Sequence, residues 1–213
     1  MDLLSIASGS SGNCYYVGSE ETHLLVDAGV SGKKIESALN EIDRKPSDLN
    51  GILVTHEHID HVKGLGVMAR KHGIPIYTTG GTISEIKKMS SVGTIDDSLF
   101  HEIEPDEPFF INDLSIDASA IWHDAADPVC YSISDGKSKF SIATDMGNYD
   151  EYVVNKLKNF DLIYTDASGG TLSVLSEATY SGKPRTSVQR AFRAVDKGVV
   201  KQPYQSNPAW TPE

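Results

Sequence analysis

Four candidate metal ligands lie within six residues, directly after a predicted strand at residues 51–55: His56, His58, Asp60 and His61. In an extended segment, residues two apart point to the same side, so His56 and His58 can bind one ion. After a bend, Asp60 and His61 can face a second ion. Imidazole and carboxylate ligands suit Zn²⁺, Mn²⁺ or Fe²⁺, and the spacing does not distinguish these ions. A solvated polar loop is the alternative, but this density of ligands favours a metal site.

The cluster is part of a longer pattern that resembles the metallo-β-lactamase superfamily. Residues 55–61 (THEHIDH) match the superfamily signature, and residues 25–29 (LVDAG) match the strand and turn that precede it. Four further segments are similar to the YycJ/WalJ branch of the superfamily: residues 5–13, 64–67, 123–129 and 143–147. The resemblance implies an α/β fold of the layered α+β kind, an αββα sandwich with a dinuclear metal site at one edge.

The resemblance also assigns a role to each residue of that site. It implies that one ion is bound by His56, His58 and His123, that the other is bound by Asp60 and His61, and that Asp145 bridges the two. Asp60 is the expected catalytic residue, because it would orient the attacking water and take up its proton. Members of this branch are bacterial metal-dependent hydrolases associated with 5′ to 3′ exonuclease action on DNA. Two divalent ions, zinc or manganese, and a DNA or other phosphodiester substrate are therefore expected.

Residues beside the cluster are candidates for supporting roles. Asp27 is expected to orient a ligand imidazole, although a turn aspartate also often bonds to its own backbone. Asp124 has a similar expected role. The loop at residues 8–13 offers backbone N–H groups and hydroxyls that suit a phosphate, and a merely flexible turn is an equal alternative. The candidate substrate-binding residues in this loop are Ser10, Ser11 and Asn13.

The last part of the chain departs from the family pattern. The superfamily closes its second metal site with a histidine near the C-terminus, and no histidine follows His123 in this sequence. The sequence therefore predicts a weakened second site and a C-terminal part that is incomplete or atypical. Asp166 is a disfavoured substitute ligand. A truncated or rearranged reading frame, a natural variant and a ligand from another chain all remain open.

The elements that must position these residues are short strands and helices in alternation. Strands are predicted at residues 3–7, 14–17, 23–26, 51–55, 74–78, 114–120, 130–134, 139–143, 162–165 and 172–175. Helices are predicted after a Ser31 cap and at residues 62–71, 83–89, 149–157 and 188–195, and a hairpin turn at Asp135-Gly136. Because His123 and Asp145 each follow a predicted strand, both should emerge at strand ends beside the histidine cluster.

The composition indicates an acidic globular protein, with 19 Lys and Arg against 30 Asp and Glu and a net charge of −11. This charge argues against binding nucleic acid over a broad face, so DNA must meet a local patch. Lys63, Arg70 and Lys71 could contribute to one, although a solvated helix face is the more common role. No apolar run approaches the ~18 residues of a membrane span, and no secretory signal begins the chain, so we expect a cytoplasmic location.

The charge also divides the chain near Asp166. Residues 1–166 carry 13 basic and 27 acidic residues, whereas residues 167–213 carry 6 and 3. We therefore expect a single metallo-hydrolase domain over residues 1–213, family-like over 1–166 and with an atypical tail at 167–213.

The favoured function is metal-dependent hydrolysis of DNA or another phosphodiester. One alternative is a hydrolase of the same fold that acts on a small thioester, lactone or cyclic phosphodiester. A second alternative is a metal-binding module without catalysis, or a fragment that assembles with a partner. The sequence leaves the oligomeric state open.

Overall fold

Two six-stranded sheets form the centre of the protein. The computed structural model describes residues 1–146, 151–157, 161–167 and 171–175. The first sheet has the strand order β1 (Asp2–Ala7), β2 (Cys14–Gly18), β3 (His23–Val26), β4 (Gly51–Leu53), β5 (Ile76–Thr78) and β6 (Phe100–Glu102). The second has the order β12 (Thr171–Leu175), β11 (Leu162–Ala167), β10 (Lys139–Thr144), β9 (Val129–Ser134), β8 (Leu114–Ala120) and β7 (Phe109–Ile111).

Five α-helices accompany the sheets in the described part of the chain: α1 (Gly32–Asn40), α2 (Ile59–Val62), α3 (Leu65–His72), α4 (Gly80–Lys88) and α5 (Glu151–Lys156). Ser31 caps α1 as predicted, since its hydroxyl accepts a hydrogen bond from the Lys34 N–H at 3.4 Å. The helix predicted at residues 62–71 is present as α3 but begins later, at Leu65. The Gly64 N–H donates to the carbonyl of Ala28 at 2.7 Å instead of continuing the helical pattern, which separates α2 from α3.

The strand directions bring the candidate site residues to one edge. β3 and β4 are parallel, so Asp27 and the segment that begins at Val54 leave the first sheet in the same direction. β8 and β10 are each antiparallel to β9 and therefore run parallel to one another. His123 follows the end of β8 and Asp145 follows the end of β10. Two strand ends from each sheet thus supply the candidate site.

Successive side chains of a strand point to opposite faces of the sheet, and the first sheet has apolar side chains packed on both faces. On β3, Leu25 packs in the apolar cluster shared with the helices, whereas Leu24 packs in the cluster between the two sheets. A third, smaller cluster lies on the outer face of the second sheet, with Leu157 packed against it. The layers are helices, sheet, sheet and helix, which confirms the predicted αββα sandwich.

Most predicted strands agree with the structure to within two residues at each end. The helix predicted at residues 83–89 begins earlier, at Gly80. The helix predicted at residues 188–195 lies outside the described residues. Strand β12 lies beyond residue 166 and pairs antiparallel with β11. Among the helices of the described residues, none has both the length and the apolar character that crossing a bilayer requires.

Candidate metal centre

Three histidines from two sheets form the first group of possible ligands. One nitrogen from each of His56, His58 and His123 lies within 4.8 Å of the other two. His58 Nδ1 is 3.2 Å from His123 Nε2, and the ring of His56 meets each of the other rings edge-on. Three imidazoles that converge on one point are the ligand set of an open metal site.

Thr55, which the sequence analysis did not single out, orients His56. The buried Thr55 hydroxyl donates to the Asp27 carboxylate, 2.9 Å from Oδ2, and its oxygen lies 3.0 Å from His56 Nδ1. The His56 Nδ1–H can therefore donate to this hydroxyl, which leaves the lone pair of Nε2 free. His56 Nε2 is buried and has no hydrogen-bond partner among the described residues. A buried acceptor without a donor fits a metal ion.

A second group shares His56 with the first. His56, His61 and Asp145 each offer a ligand atom within 4.8 Å of the other two. His61 Nε2 lies 2.8 Å from Asp145 Oδ2, and Asp60 Oδ2 lies farther away, 3.7 Å from the same nitrogen. The structure therefore brings Asp60 to the border of this group rather than into its centre.

Asp27 anchors the interior side of the second group. Its buried Oδ2 is 2.7 Å from His61 Nδ1, and its Oδ1 accepts the Thr55 N–H at 2.8 Å. The predicted contact between Asp27 and an imidazole is thus present. Asp27 and Asp145 both have left-handed backbones, with φ of 60° and 56°. Such conformations are uncommon outside glycine and concentrate at functional sites, although aspartate adopts them more readily than most residues.

The charges of the site favour a neutral imidazole at His56 and at His123 and a positive charge at His61. Burial lowers the pKa of His56 far below its usual value, and the neighbouring imidazoles lower it further. Burial also lowers the pKa of His123. For His61 burial acts in the same direction, but the carboxylates of Asp27 and Asp145 outweigh it and raise the pKa to about 10. Neutral imidazoles bind metal ions, and the two carboxylates create a position where a cation is stable.

The contact with His61 also lowers the pKa of Asp145. Burial raises the pKa of this carboxyl group, but the hydrogen bond and charge of His61 reverse the effect and lower it. Asp145 is therefore an ionised, partly buried carboxylate, which is the form that coordinates a divalent ion.

The loop at residues 8–13 places its candidate residues in two different environments. Ser10 and Ser11 are exposed, as a phosphate contact requires. Asn13 is buried, and its Nδ2 lies 2.9 Å from His61 Nε2 while its Oδ1 accepts the Gly9 N–H at 2.9 Å. The Asn13 side chain therefore folds the loop against His61, and its position does not suit the predicted contact with substrate.

Asp124 contacts one histidine through its backbone and another through its side chain. Its carbonyl oxygen lies 3.2 Å from His58 Nε2, on the side of the ring away from the cluster. Its carboxylate is 81% exposed and 3.2 Å from His123 Nδ1. The structure thus brings Asp124 to two candidate ligands, one of them through a main-chain atom that a substitution would leave in place.

Glu57 is a further residue that the sequence analysis did not single out. It lies between His56 and His58, so its side chain leaves the segment on the opposite side. Its Oε1 accepts the N–H of Ala126 at 2.8 Å, and the hydroxyl of Thr79 donates to the carbonyl of Asp127 at 2.8 Å. These two bonds hold the segment after His123 against the first sheet. The alternation of residues 56–58 was the signal that could have identified Glu57.

We expect Glu57→Ala to weaken metal binding by the three histidines about tenfold, at the low end of the effect of residues behind a ligand. Removing the acceptor frees the segment that carries His123. Hydrogen exchange of the Ala126 amide in metal-free protein should increase, and zinc affinity measured against a competing chelator should fall. Glu57→Gln keeps an oxygen acceptor and should restore both values. Equal losses in the two variants would mean that the charge, and not this hydrogen bond, supports the site.

Comparison with known proteins identifies related sequences over most of the chain. A family model described as a beta-lactamase superfamily domain matches residues 22–195. The chain is 38% identical over 176 residues to exodeoxyribonuclease WalJ of Streptococcus pneumoniae serotype 2 (strain D39 / NCTC 7466), an alignment that covers 83% of this chain and 65% of the relative. It is 38% identical over 153 residues to exodeoxyribonuclease YycJ of Bacillus anthracis, covering 72% of this chain and 56% of the relative. The chain thus spans less than two thirds of these relatives.

Solved structures with lower sequence identity share the fold. A B3 metallo-β-lactamase with an active-site glutamic acid superimposes with a TM-score of 0.62 at 18% identity, covering 89% of this chain and 85% of that one. Zinc-bound PqqB from Methylobacterium extorquens gives 0.60 at 16% identity, covering 72% and 59%. These similarities show a common architecture.

Proposed function

Because the chain belongs to the beta-lactamase superfamily, we propose that it is a metal-dependent hydrolase that removes nucleotides from DNA in the 5′ to 3′ direction. The observation that carries this proposal is the convergence of His56, His58, His61, His123 and Asp145 at one edge of the two sheets. The names of the two curated relatives support DNA as the substrate. A cytoplasmic location, where chromosomal DNA is accessible, belongs to the same proposal.

The donor atoms of the site fit two divalent ions, for which we propose zinc or manganese. His56, His58 and His123 would hold the first, and His61, Asp60 and Asp145 would hold the second. When bound, such ions supply the positive charge that acidifies a water molecule at neutral pH and offsets the charge of a phosphodiester. The partnerless His56 Nε2 and the His61–Asp145 contact support this division.

The protein's own residues would orient the reactants and receive the proton. The Asp60 carboxylate is 28% exposed at the border of the second group, so it can reach a water molecule at the cluster. We assign it the role of orienting that water and accepting its proton. Thr55 and Asp27 hold the imidazoles of His56 and His61 from the interior, which fixes the directions of their lone pairs. Ser10 and Ser11 would contact the phosphate of the terminal nucleotide.

The second ion should bind more weakly than the first. The first group has three imidazoles, whereas the second relies on one imidazole and two carboxylates, and no histidine follows His123 in this chain. The strand register places the backbone of Asp166 beside Thr144, next to Asp145, at the same edge. Asp166 remains a disfavoured candidate for a further ligand.

The proposal is tested by hydrolysis of a 5′-phosphorylated DNA duplex in added Zn²⁺ or Mn²⁺, at several salt concentrations. Cleavage of a polyanion should fall as salt rises, whereas turnover of a neutral thioester or lactone should not. Salt-sensitive release of nucleotides from the 5′ end would support the nuclease. Efficient turnover of the neutral substrate with intact DNA would support the small-molecule alternative. Metal binding without turnover of either substrate would identify a non-catalytic module.

A further inference from the structure

Three lysines beside the candidate metal centre form no ion pair among the described residues. They are Lys33 and Lys34 in the first turn of α1 and Lys63 directly after α2, and all three are exposed. Four other lysines each lie within 3 Å of a carboxylate: Lys71 with Glu36, Lys87 with Asp97, Lys88 with Glu85 and Lys156 with Asp106. Lys45 and Lys137 also lack an ion pair in the described part of the chain, so what distinguishes Lys33, Lys34 and Lys63 is their grouping beside the metal centre of a chain with a net charge of −11.

The three lysines are neighbours because α1 begins against the junction between α2 and α3. A Cβ on Gly64 would lie 3.2 Å from the backbone nitrogen of Gly32, and a Cβ on Gly32 would lie 2.9 Å from Cγ1 of Val67. Lys33 follows Gly32, and Lys63 precedes Gly64. We call Lys33, Lys34 and Lys63 the lysine patch.

The lysine patch is connected directly to the metal centre. The Gly64 N–H donates to the carbonyl of Ala28 at 2.7 Å, and the Ala28 N–H donates to the carbonyl of His61 at 2.8 Å. Asp60 precedes Lys63 by only three residues. The patch therefore lies beside the part of the site where a substrate phosphate would be cleaved.

The structure also distinguishes Lys63 from Arg70 and Lys71, the two other basic residues that the sequence indicated as candidates for contact with nucleic acid. Arg70 Nη1 donates to the carbonyls of Val92 and Thr94 at 2.9 and 3.0 Å. Lys71 is paired with Glu36 at 2.7 Å. The side chains of Arg70 and Lys71, both on α3, are therefore engaged in contacts within the protein. Lys63 has no such partner in the described part of the chain.

Two exposed apolar side chains border Lys63. Ile59 is 46% exposed and Val67 is 45% exposed, four residues before and after Lys63. Lys63 shares a face with Ile59, because its N–H donates to the Ile59 carbonyl at 2.9 Å as in a helix. Val67 lies beside Gly32, at the start of α1. Lysine charges next to apolar side chains suit a chain of phosphates and sugars better than a small carboxylate.

We propose that the lysine patch binds the phosphate backbone of the DNA substrate beyond the nucleotide that is cleaved. This inference rests on the proposed function and adds to it the surface that makes an acidic protein compatible with a polyanion. Each lysine would contribute one phosphate contact, and counterion release would make binding sensitive to salt. The exposed faces of Ile59 and Val67 would lie against deoxyribose.

The test compares two triple variants of the full chain with the same change in charge. Lys33→Gln, Lys34→Gln and Lys63→Gln together remove the lysine patch, and Lys71→Gln, Lys87→Gln and Lys88→Gln remove three paired lysines. Fluorescence anisotropy would measure the Kd of a 5′-phosphorylated duplex as a function of salt, with metal removed so that the DNA stays intact. The patch variant should bind on the order of tenfold more weakly, with a log–log salt slope smaller by roughly 2 to 3. The control variant should bind like the unmodified chain.

Equal losses in the two triple variants would overturn the proposal, since they would show an effect of net charge alone. An unchanged salt slope in the patch variant would overturn it as well. Hydrolysis of the small phosphodiester bis(p-nitrophenyl) phosphate provides the separate readout. If no variant hydrolyses it while DNA binding still depends on the patch, the proposed hydrolase fails and the DNA-binding surface stands. If all variants hydrolyse it equally and DNA binding ignores the patch, the surface fails alone.

Discussion

Replacing His58 with alanine is expected to abolish both hydrolysis and binding of the first metal ion. The first group has only three imidazoles, so the loss of one leaves two protein ligands, fewer than an open catalytic site requires. Loss of a ligand should weaken binding by more than the roughly 100-fold upper effect of residues behind a ligand. Metal content per chain by mass spectrometry and turnover of the 5′-phosphorylated duplex should fall together.

His101→Ala is the matched control for this change. His101 is exposed, stacks on Tyr77 with ring centroids 4.8 Å apart, and belongs to neither group of candidate ligands. This variant should keep its metal and its rate. Full metal occupancy and normal turnover in His58→Ala would remove His58 from the site, whatever the control shows.

Asp60→Asn is expected to lower kcat by roughly 10²- to 10⁴-fold, the usual contribution of a positioned acid or base. The amide cannot accept a proton from water, and it is a poorer ligand than a carboxylate. The first ion should stay bound, because Asp60 is not part of the group formed by His56, His58 and His123. Thermal stability should hardly change, since the side chain is partly exposed at the rim of the site.

The comparison for Asp60→Asn is Asp97→Asn, which removes the same charge from an exposed residue that is paired with Lys87 of α4. Its kcat should match that of the unmodified chain. An undiminished kcat on DNA in Asp60→Asn would show that another group receives the proton. A loss of the first metal ion would instead place Asp60 among the ligands of that ion.

The local sequence pattern was sufficient to predict the strands that carry the site residues. It was not sufficient to predict the tertiary contacts that hold those residues in place. His123 and Asp145 could be placed beside the histidine cluster because each follows a predicted strand, and parallel strand ends share an edge. The split between α2 and α3 could not be predicted, because it arises from the hydrogen bond of Gly64 to Ala28, a residue 36 positions away.

Burial explains the remaining differences between expectation and structure. Asn13 looks like a loop residue available to substrate, but the fold closes the loop over it and brings its amide to His61. Thr55 looks like an ordinary strand residue in the sequence. Its role depends on the carboxylate of Asp27, which follows β3. Contacts of this kind depend on the tertiary fold and have no short-range signature.

Metal titration of the stripped chain, followed by calorimetry and by hydrolysis of a 5′-phosphorylated duplex in the same samples, measures whether the two ligand groups bind metal unequally and whether both are needed for hydrolysis. We expect one tightly bound ion, a second that leaves under mild chelation, and hydrolysis that rises only as the second site fills. Two equivalent tight sites per chain would show that Asp166, another residue of the tail or a neighbouring chain completes the second group. Undiminished hydrolysis by the metal-free chain would contradict the assignment of the histidine cluster altogether.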